Sequence, residues 1–343
     1  LGLNNMNRRK LRTGLTCATL TLLTFVMISF TSVSNPLRDS TVALGKASYQ
    51  GFLVKRKRFY PVRDSELYAL KRMYGEDYVV AERRFWVGGE NDYAGSVENP
   101  RVEAGYRDPE GLERRHTLTS VLQFRPYEPL RDDLEFVTRN TWFDEADVDR
   151  AGQPLPAMVP DTAAEILGIQ PRMVDNGDVR ITLNGVPFRV HSIFRSESLA
   201  NLRDLDGDSL LPFDVTMVDD LVVSQGEASA GALASKDAPR LPAGSVVLLP
   251  IGDIGIQPVP PSSGRLISVA VSMPDAPYKV ASQTIEDYLI RIGEPTYYGI
   301  DGIAYQGEIK RALTLSGLVD LVIPLVIAAL TVLNTMRGSV YER

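Results

Sequence analysis

Apolar residues along the chain fall into two long uninterrupted runs, with many short alternating ones between them. Leu15–Val33 carries no charged residue over 19 positions, about the length of helix that crosses a bilayer core at about 1.5 Å per residue. A second run, from about Leu321 to Met336, lies close to the C-terminus. Between them the period shortens. Tyr49–Phe59 reads as a strand, Asp64–Tyr74 as a helix with Leu67, Leu70, Met73 and Tyr74 on one face, and Tyr78–Val87 as a strand. The same order recurs later. Arg265–Ser272 reads as a strand, Ala281–Ile292 as a helix with Ile285, Tyr288, Leu289 and Ile292 on one face, and Thr296–Tyr305 as extended chain.

The region between these two sets has its own pattern. Thr117–Arg125, Val179–Leu183 and Val186–Phe194 read as strands, and Asn184-Gly185 is the strongest hairpin signal in the chain. Asp161–Leu167 reads as a short helix capped by Asp161. Ser224–Gly244 and Gln257–Gly264, rich in Gly, Ala, Ser and Pro, read as loops. The pattern thus predicts an α+β domain between two transmembrane helices. Its membrane-proximal subdomain combines residues 45–90 with 265–305, and its distal subdomain spans 115–264.

Charge orients the two runs. Arg8, Arg9, Lys10 and Arg12 precede the first, and Arg337 and Arg343 follow the second. Basic flanks at both outer ends place both in the cytoplasm. The expected layout is a cytoplasmic segment 1–12, a transmembrane helix 13–33, an extracytoplasmic domain 34–312, a helix with the second span over 313–336, and a cytoplasmic coupling segment from 337 to 343. A secretory signal peptide is the competing reading of Leu15–Val33, with Ser32 and Ser34 as a weak cleavage site. An aspartate at the bilayer centre costs roughly 3 kcal/mol, against about 0.3–0.6 gained per Leu, Ile or Val. The cheaper placement therefore sets Asp320 at the outer interface and Pro324 in the outer third of the span. Glu308–Leu318 is expected to extend this span outward as a helix. The first residue is Leu1 rather than Met, and the last, Arg343, directly follows the second run, which reads as an excerpt of a longer membrane protein.

Composition narrows the chemistry. A net charge of −6 gives no electrostatic case for nucleic-acid binding. The only cysteine, Cys17, lies in the first run, so no disulfide is expected in the domain. Lys55–Arg58 reads as a solvated strand edge. His116 and His191 are isolated, and His191 alternates with Val190 and Ile193 as a structural imidazole would. Asp204-Leu205-Asp206-Gly207-Asp208 resembles a calcium loop, but its glycine comes at the fourth position rather than the sixth, and Val215 stands at the twelfth. The favoured reading is an acidic turn. GxSxG, HExxH and CxxC motifs and a nucleotide-binding P-loop are missing, so no catalytic, cofactor or metal residue is assigned.

The second run and its flank carry a family resemblance. Ile323–Ile327, Val332–Met336 and Ser339–Arg343 resemble the FtsX-like permease domain shared by MacB-like and lipoprotein-releasing ABC transporter permeases. Asn7–Thr13 resembles the basic lead-in of these permeases. Ala163–Ile169 and Val179–Phe194 resemble, more loosely, their MacB-like periplasmic core. The resemblance implies a non-catalytic plasma-membrane permease subunit. Its partners would be a cytoplasmic ABC ATPase that hydrolyses ATP, a second permease copy or half, an extracytoplasmic protein and the lipid bilayer. The third and fourth spans of that family have no counterpart here. A two-span sensor with an extracytoplasmic ligand-binding domain is the alternative, and the substrate stays open.

Overall fold

The computed structural model describes residues 32–34, 37–56, 61–86, 101–148, 153–177, 179–214, 239–251, 264–311 and 314–316, with Thr21, Val326 and Ala329 as isolated helical positions. The two apolar runs, Asp320, Lys57, Arg58 and most of both expected loops lie outside the described residues. Among the described residues no helix is long and apolar enough to cross a membrane. In chain order the strands and helices are β1 (Ser32–Ser34), β2 (Leu37–Lys46), β3 (Gly51–Lys55), α1 (Asp64–Tyr74), β4 (Val79–Phe85), β5 (Val102–Arg107), β6 (Glu113–Leu118), β7 (Ser120–Phe124), α2 (Glu145–Val148), β8 (Pro156–Pro160) and α3 (Asp161–Leu167). They continue with α4 (Pro171–Asn176), β9 (Arg180–Leu183), β10 (Val186–Phe194), α5 (Ser196–Asn201), β11 (Val246–Pro250), β12 (Arg265–Ser272), α6 (Tyr278–Ile292), β13 (Thr296–Ile300), β14 (Ile303–Arg311) and β15 (Thr314–Ser316).

The chain divides into two compact units, residues 1–39 with 309–343 and residues 40–308. In the first, β1 and β15 form an antiparallel ribbon that pairs Ser32 with Ser316 and Ser34 with Thr314. The chain before Ser32 and the chain after Ser316 therefore leave this ribbon at the same end. The expected helix over Glu308–Leu318 is overturned. Glu308–Arg311 closes strand β14, and Thr314–Ser316 is a strand. Likewise Ser32 and Val33, the last residues of the expected first helix, are in β1.

A mixed sheet of 13 strands runs β2-β14-β13-β3-β12-β4-β7-β11-β8-β10-β9-β5-β6. The stretch β13-β3-β12-β4 is antiparallel throughout. Taken in chain order as β3-α1-β4 followed by β12-α6-β13, it is a split β-α-β repeated twice. The recurrence read from the sequence is this repeat. Residues 86–264 are inserted between its second and third strands, and Phe85 and Arg265, the residues flanking the insertion, are register partners. The insert, which contains the expected distal subdomain 115–264, continues the sheet of the repeat. Its strand β7 pairs Gln123 and Leu122 with Arg84 and Phe85 of β4, so one sheet runs through both parts.

Each helix of the repeat buries one face on the sheet. In α1, Leu67, Leu70 and Tyr74 point inward, with Asp64 and Glu66 in the first turn and Lys71 and Arg72 in the last, matching the helix dipole. Met73 is exposed instead. In α6 the buried residues are Ala281, Ile285, Tyr288 and Leu289, whereas Ile292 is exposed. Under the helices Phe52 stacks on Tyr288 with ring centroids 4.2 Å apart and meets Tyr74 edge-on at 5.4 Å.

In the insert, strands β7, β8 and β11 are buried along their whole length. Alternate residues enter different cores. Leu122, Met158 and Leu248 pack with Phe124, Phe194 and Leu205, while Val121, Val159, Val247 and Leu249 pack with Leu167, Ile181 and Phe188. Asn184 (φ 49°) and Gly185 (φ 81°) make the expected turn between β9 and β10. The extended chain expected at Thr296–Tyr305 is a second such hairpin, turning at Asp301 (φ 51°) and Gly302 (φ 74°). Asp161 opens α3 but does not cap it, since the N-cap is Pro160. Its Oδ1 accepts instead from the backbone N–H of Thr162 and of Ser196.

Candidate functional site

The face of β3 and β4 turned away from the helices is where charge concentrates. Alternation along β4 puts Val80 and Glu82 on one face and Ala81, Arg83 and Phe85 on the other. Arg83 is fully buried. Its Nε and Nη2 donate to Glu128 at 3.1 and 2.7 Å, and its Nη1 donates to Asp204. The guanidinium lies 6.0 Å from the ring of Tyr49. Burial works against the charge on Arg83, but Asp204 and Glu128 outweigh it and raise its pKa well above the usual value. Burial beside Asp204 likewise pushes the Tyr49 hydroxyl well up.

A second pair lies on the opposite face, beneath α1. Glu82 accepts from Arg125 Nε at 3.0 Å and Nη2 at 2.5 Å, and Lys71 of α1 comes within 3.5 Å of its other oxygen. The Arg125 carbonyl accepts from Trp142 Nε1 at 3.3 Å. At the rim Lys55 donates to Asp206 at 2.5 Å and to Asp208 at 2.8 Å. Burial pulls the Lys55 pKa down and the two carboxylates pull it up more strongly, so the net shift is upward. Arg240 lies 3.8 Å from Asp208 and 3.8 Å from the centre of the Phe213 ring.

One expectation from the sequence is corrected here. Lys55 is not a solvated edge residue, since it is sunk between two aspartates, and Arg56 pairs with Glu66. The Asp204–Asp208 turn has the shape of a metal loop but not its chemistry. Asp204 faces Arg83, while Asp206 and Asp208 face Lys55, so its carboxylates are already neutralised by basic side chains. Among the described residues no cluster of three or more His, Cys, Asp or Glu is placed to hold a metal ion. The sequence reading missed the partners because Lys55 and Arg83 lie more than 120 residues from this turn. The one available signal was the charged run Glu82-Arg83-Arg84 inside a strand whose other residues are apolar.

His191 is in β10 as read, its Nδ1 3.6 Å from Asp147 Oδ2, while Arg189 donates to Asp147 Oδ1 at 2.9 Å. Burial lowers the His191 pKa despite Asp147. Burial alone would raise the Asp147 carboxyl, but the Arg189 hydrogen bond and the neighbouring positive groups bring it below its usual value. His116 lies in β6, where it pairs with Ala104, about as far along the sheet order from β3 as the fold allows. Elsewhere, an open hollow of about 700 Å³ lies beyond the ends of β4 and β12, lined by Glu76, Asp77, Met273, Asp275, Pro277 and Val280 among others. None of the sequence-marked residues lines it.

Across the two faces of these strands five carboxylates meet five basic groups, and breaking a fully buried pair such as Arg83–Glu128 costs about 3–5 kcal/mol.

No family model and no curated protein matches the chain. Among solved structures, it is similar to the periplasmic region of MacB from Actinobacillus actinomycetemcomitans, at 11% identity over 74% of this chain and 79% of that one, with a TM-score of 0.35. It is also similar to a domain of a putative permease protein from Porphyromonas gingivalis, at 10% identity over 74% and 83%, with a TM-score of 0.26. At such scores the likeness carries no argument, and the functional reading rests on the sequence and on this chain's own geometry.

Proposed function

We propose that the chain is part of an ABC transporter permease subunit of the FtsX-like, MacB-like kind, with residues 34–312 on the extracytoplasmic side of the plasma membrane. The supporting observation is the β1–β15 ribbon. Because Ser32 pairs with Ser316 in antiparallel sense, the chain leading back to Leu15–Val33 and the chain leading on to Leu321–Met336 depart from the same end. Two adjacent spans with basic outer flanks need that arrangement, and a cleaved signal peptide does not. The sequence resemblance supplies the rest: a cytoplasmic ATPase that hydrolyses ATP, a paired permease assembly, and an extracytoplasmic protein partner. The subunit itself is non-catalytic in this reading. Motion from the ATPase cannot follow one continuous helix outward past Leu318, as the sequence led us to expect, and would instead enter through the paired strands.

Topology is the direct test. In cells carrying a Cys17→Ala background, a membrane-impermeant thiol reagent should label a cysteine placed at Glu110 in intact cells. A cysteine at Ser339 should be labelled only after permeabilisation. Labelling of both in intact cells would overturn the reading, as would recovery of a soluble, cleaved product. Co-purification of an ATPase with the full chain tests the partner.

A further inference from the structure

The Arg203–Ser209 turn is the piece of the insert that reaches across the repeat, and it is closed upon itself. Arg203 and Ser209 form an isolated bridge, Asp204 N–H donates to Asp208 O at 2.9 Å, and Gly207 N–H donates to Asp204 O at 2.8 Å. Asp204 Oδ1 and Asp206 Oδ1 accept from the N–H groups of Leu205 and Asp208. Among the described residues no backbone hydrogen bond joins this turn to β3, β4 or β13. Side chains alone dock it. Leu205 packs in the core against the Gly299 position, where a Cβ would stand 2.8 Å from its Cδ2. Asp204 is held by Arg83 at depth, and Asp206 and Asp208 by Lys55 at the rim.

The covalent and ladder connections between the two parts are narrow. Arg84 and Phe85 pair with Leu122 and Gln123, and Trp86 N–H donates to Val121 O at 2.9 Å. Beside this short ladder Arg83 holds Glu128 and Glu82 holds Arg125, so the turn is a further clamp at the end of β3 rather than the sole one. The turn also carries three carboxylates within five residues. Docked, they are neutralised; undocked, they repel one another and favour water.

We infer that the Arg203–Ser209 turn is a releasable latch. It undocks with Leu205 leaving its seat and Lys55 releasing Asp206 and Asp208, its own backbone bonds loosening with it, while Arg83–Glu128, Glu82–Arg125 and the β4–β7 pairing keep the insert on the sheet. The inference concerns the folded domain and does not depend on the membrane reading.

Amide hydrogen exchange on the full chain tests it. In Lys55→Met, amides of Leu205–Ser209 should exchange at least about tenfold faster, while β12 amides between Leu266 and Val271 keep their protection. Lys55→Arg should restore slow exchange. Gly299→Ala, whose added Cβ would stand 2.2 Å from Tyr49 O and 2.8 Å from Leu205 Cδ2, crowds this seat without touching a charge and should open the same turn. Raising salt should speed exchange of the turn in the unsubstituted chain and much less in Lys55→Met. The latch is overturned if exchange in the turn is unchanged in Lys55→Met and Gly299→Ala. It is equally overturned if turn and β12 amides accelerate together, since Lys55 would then stabilise the fold as a whole.

Discussion

The four strands of the split β-α-β repeat have two covered faces closed by different means. On one face Phe52, Tyr74 and Tyr288 pack under two helices, with the Glu82–Arg125 pair beneath α1 beside them. On the other, Arg83 and Lys55 meet carboxylates from the insert within an apolar cluster that includes Leu53, Ala81, Phe85 and Leu205. Apolar packing is tolerant and cumulative. Ion pairing in a dry place is directional, and removing one member strands the other. Both faces therefore contribute to stability, and the directional pairs of Arg83 and Lys55 also fix where the insert sits.

Substitutions can separate these roles. Phe52→Ala should give the largest loss, about 3–5 kcal/mol from removing a fully buried ring under both helices, read as a lowered midpoint in chemical denaturation. Arg83→Met should approach it at about 3–5 kcal/mol, because Glu128 and Asp204 are left buried without their cation. Arg83→Met together with Glu128→Gln and Asp204→Asn should recover part of that loss. If it recovers none, the charged face acts by shape alone and the contrast fails.

These two faces also differ in how well they could be read beforehand. The helices and strands of the repeat follow local periods, so Asp64–Tyr74 was legible to the residue. Strands β8 and β11 were not, because Pro156–Pro160 and Val246–Pro250 are buried on both sides and show no alternation. The charged face was illegible for another reason. Its partners are assembled from β3, β4, the Glu128 loop and the Asp204 turn, and no local pattern connects segments so far apart. Asn184-Gly185 announced its hairpin and Asp301-Gly302 the same way, yet the second was passed over because the flanking chain reads as one extended stretch.

Smaller effects sharpen the comparison. Gly299→Ala should cost about 1–3 kcal/mol by overpacking against Tyr49 O and Leu205. The His191–Asp147 pair, away from both faces, predicts a pH dependence of its own. Both groups have folded-state pKa values below their usual ones, so the native state binds fewer protons than the unfolded chain there. Their contribution is complete above about pH 6.5 and is lost as pH falls, first through His191 and then, below about pH 4, through Asp147. Thermal midpoints measured from pH 8 to pH 5 should decline, and His191→Gln should flatten that decline. A slope unchanged by the substitution would assign it to other groups.

The pairing of Phe85 with Arg265 has one more consequence. The ends of the 86–264 segment already sit side by side at the tip of two antiparallel strands, so a two-residue turn could replace all of it without moving a backbone atom of the repeat. A lineage could gain, lose or exchange such a segment by recombination at that point. What resists the exchange is Arg83 and Lys55: any replacement must bring its own carboxylates, or the host strands must give up their charges first.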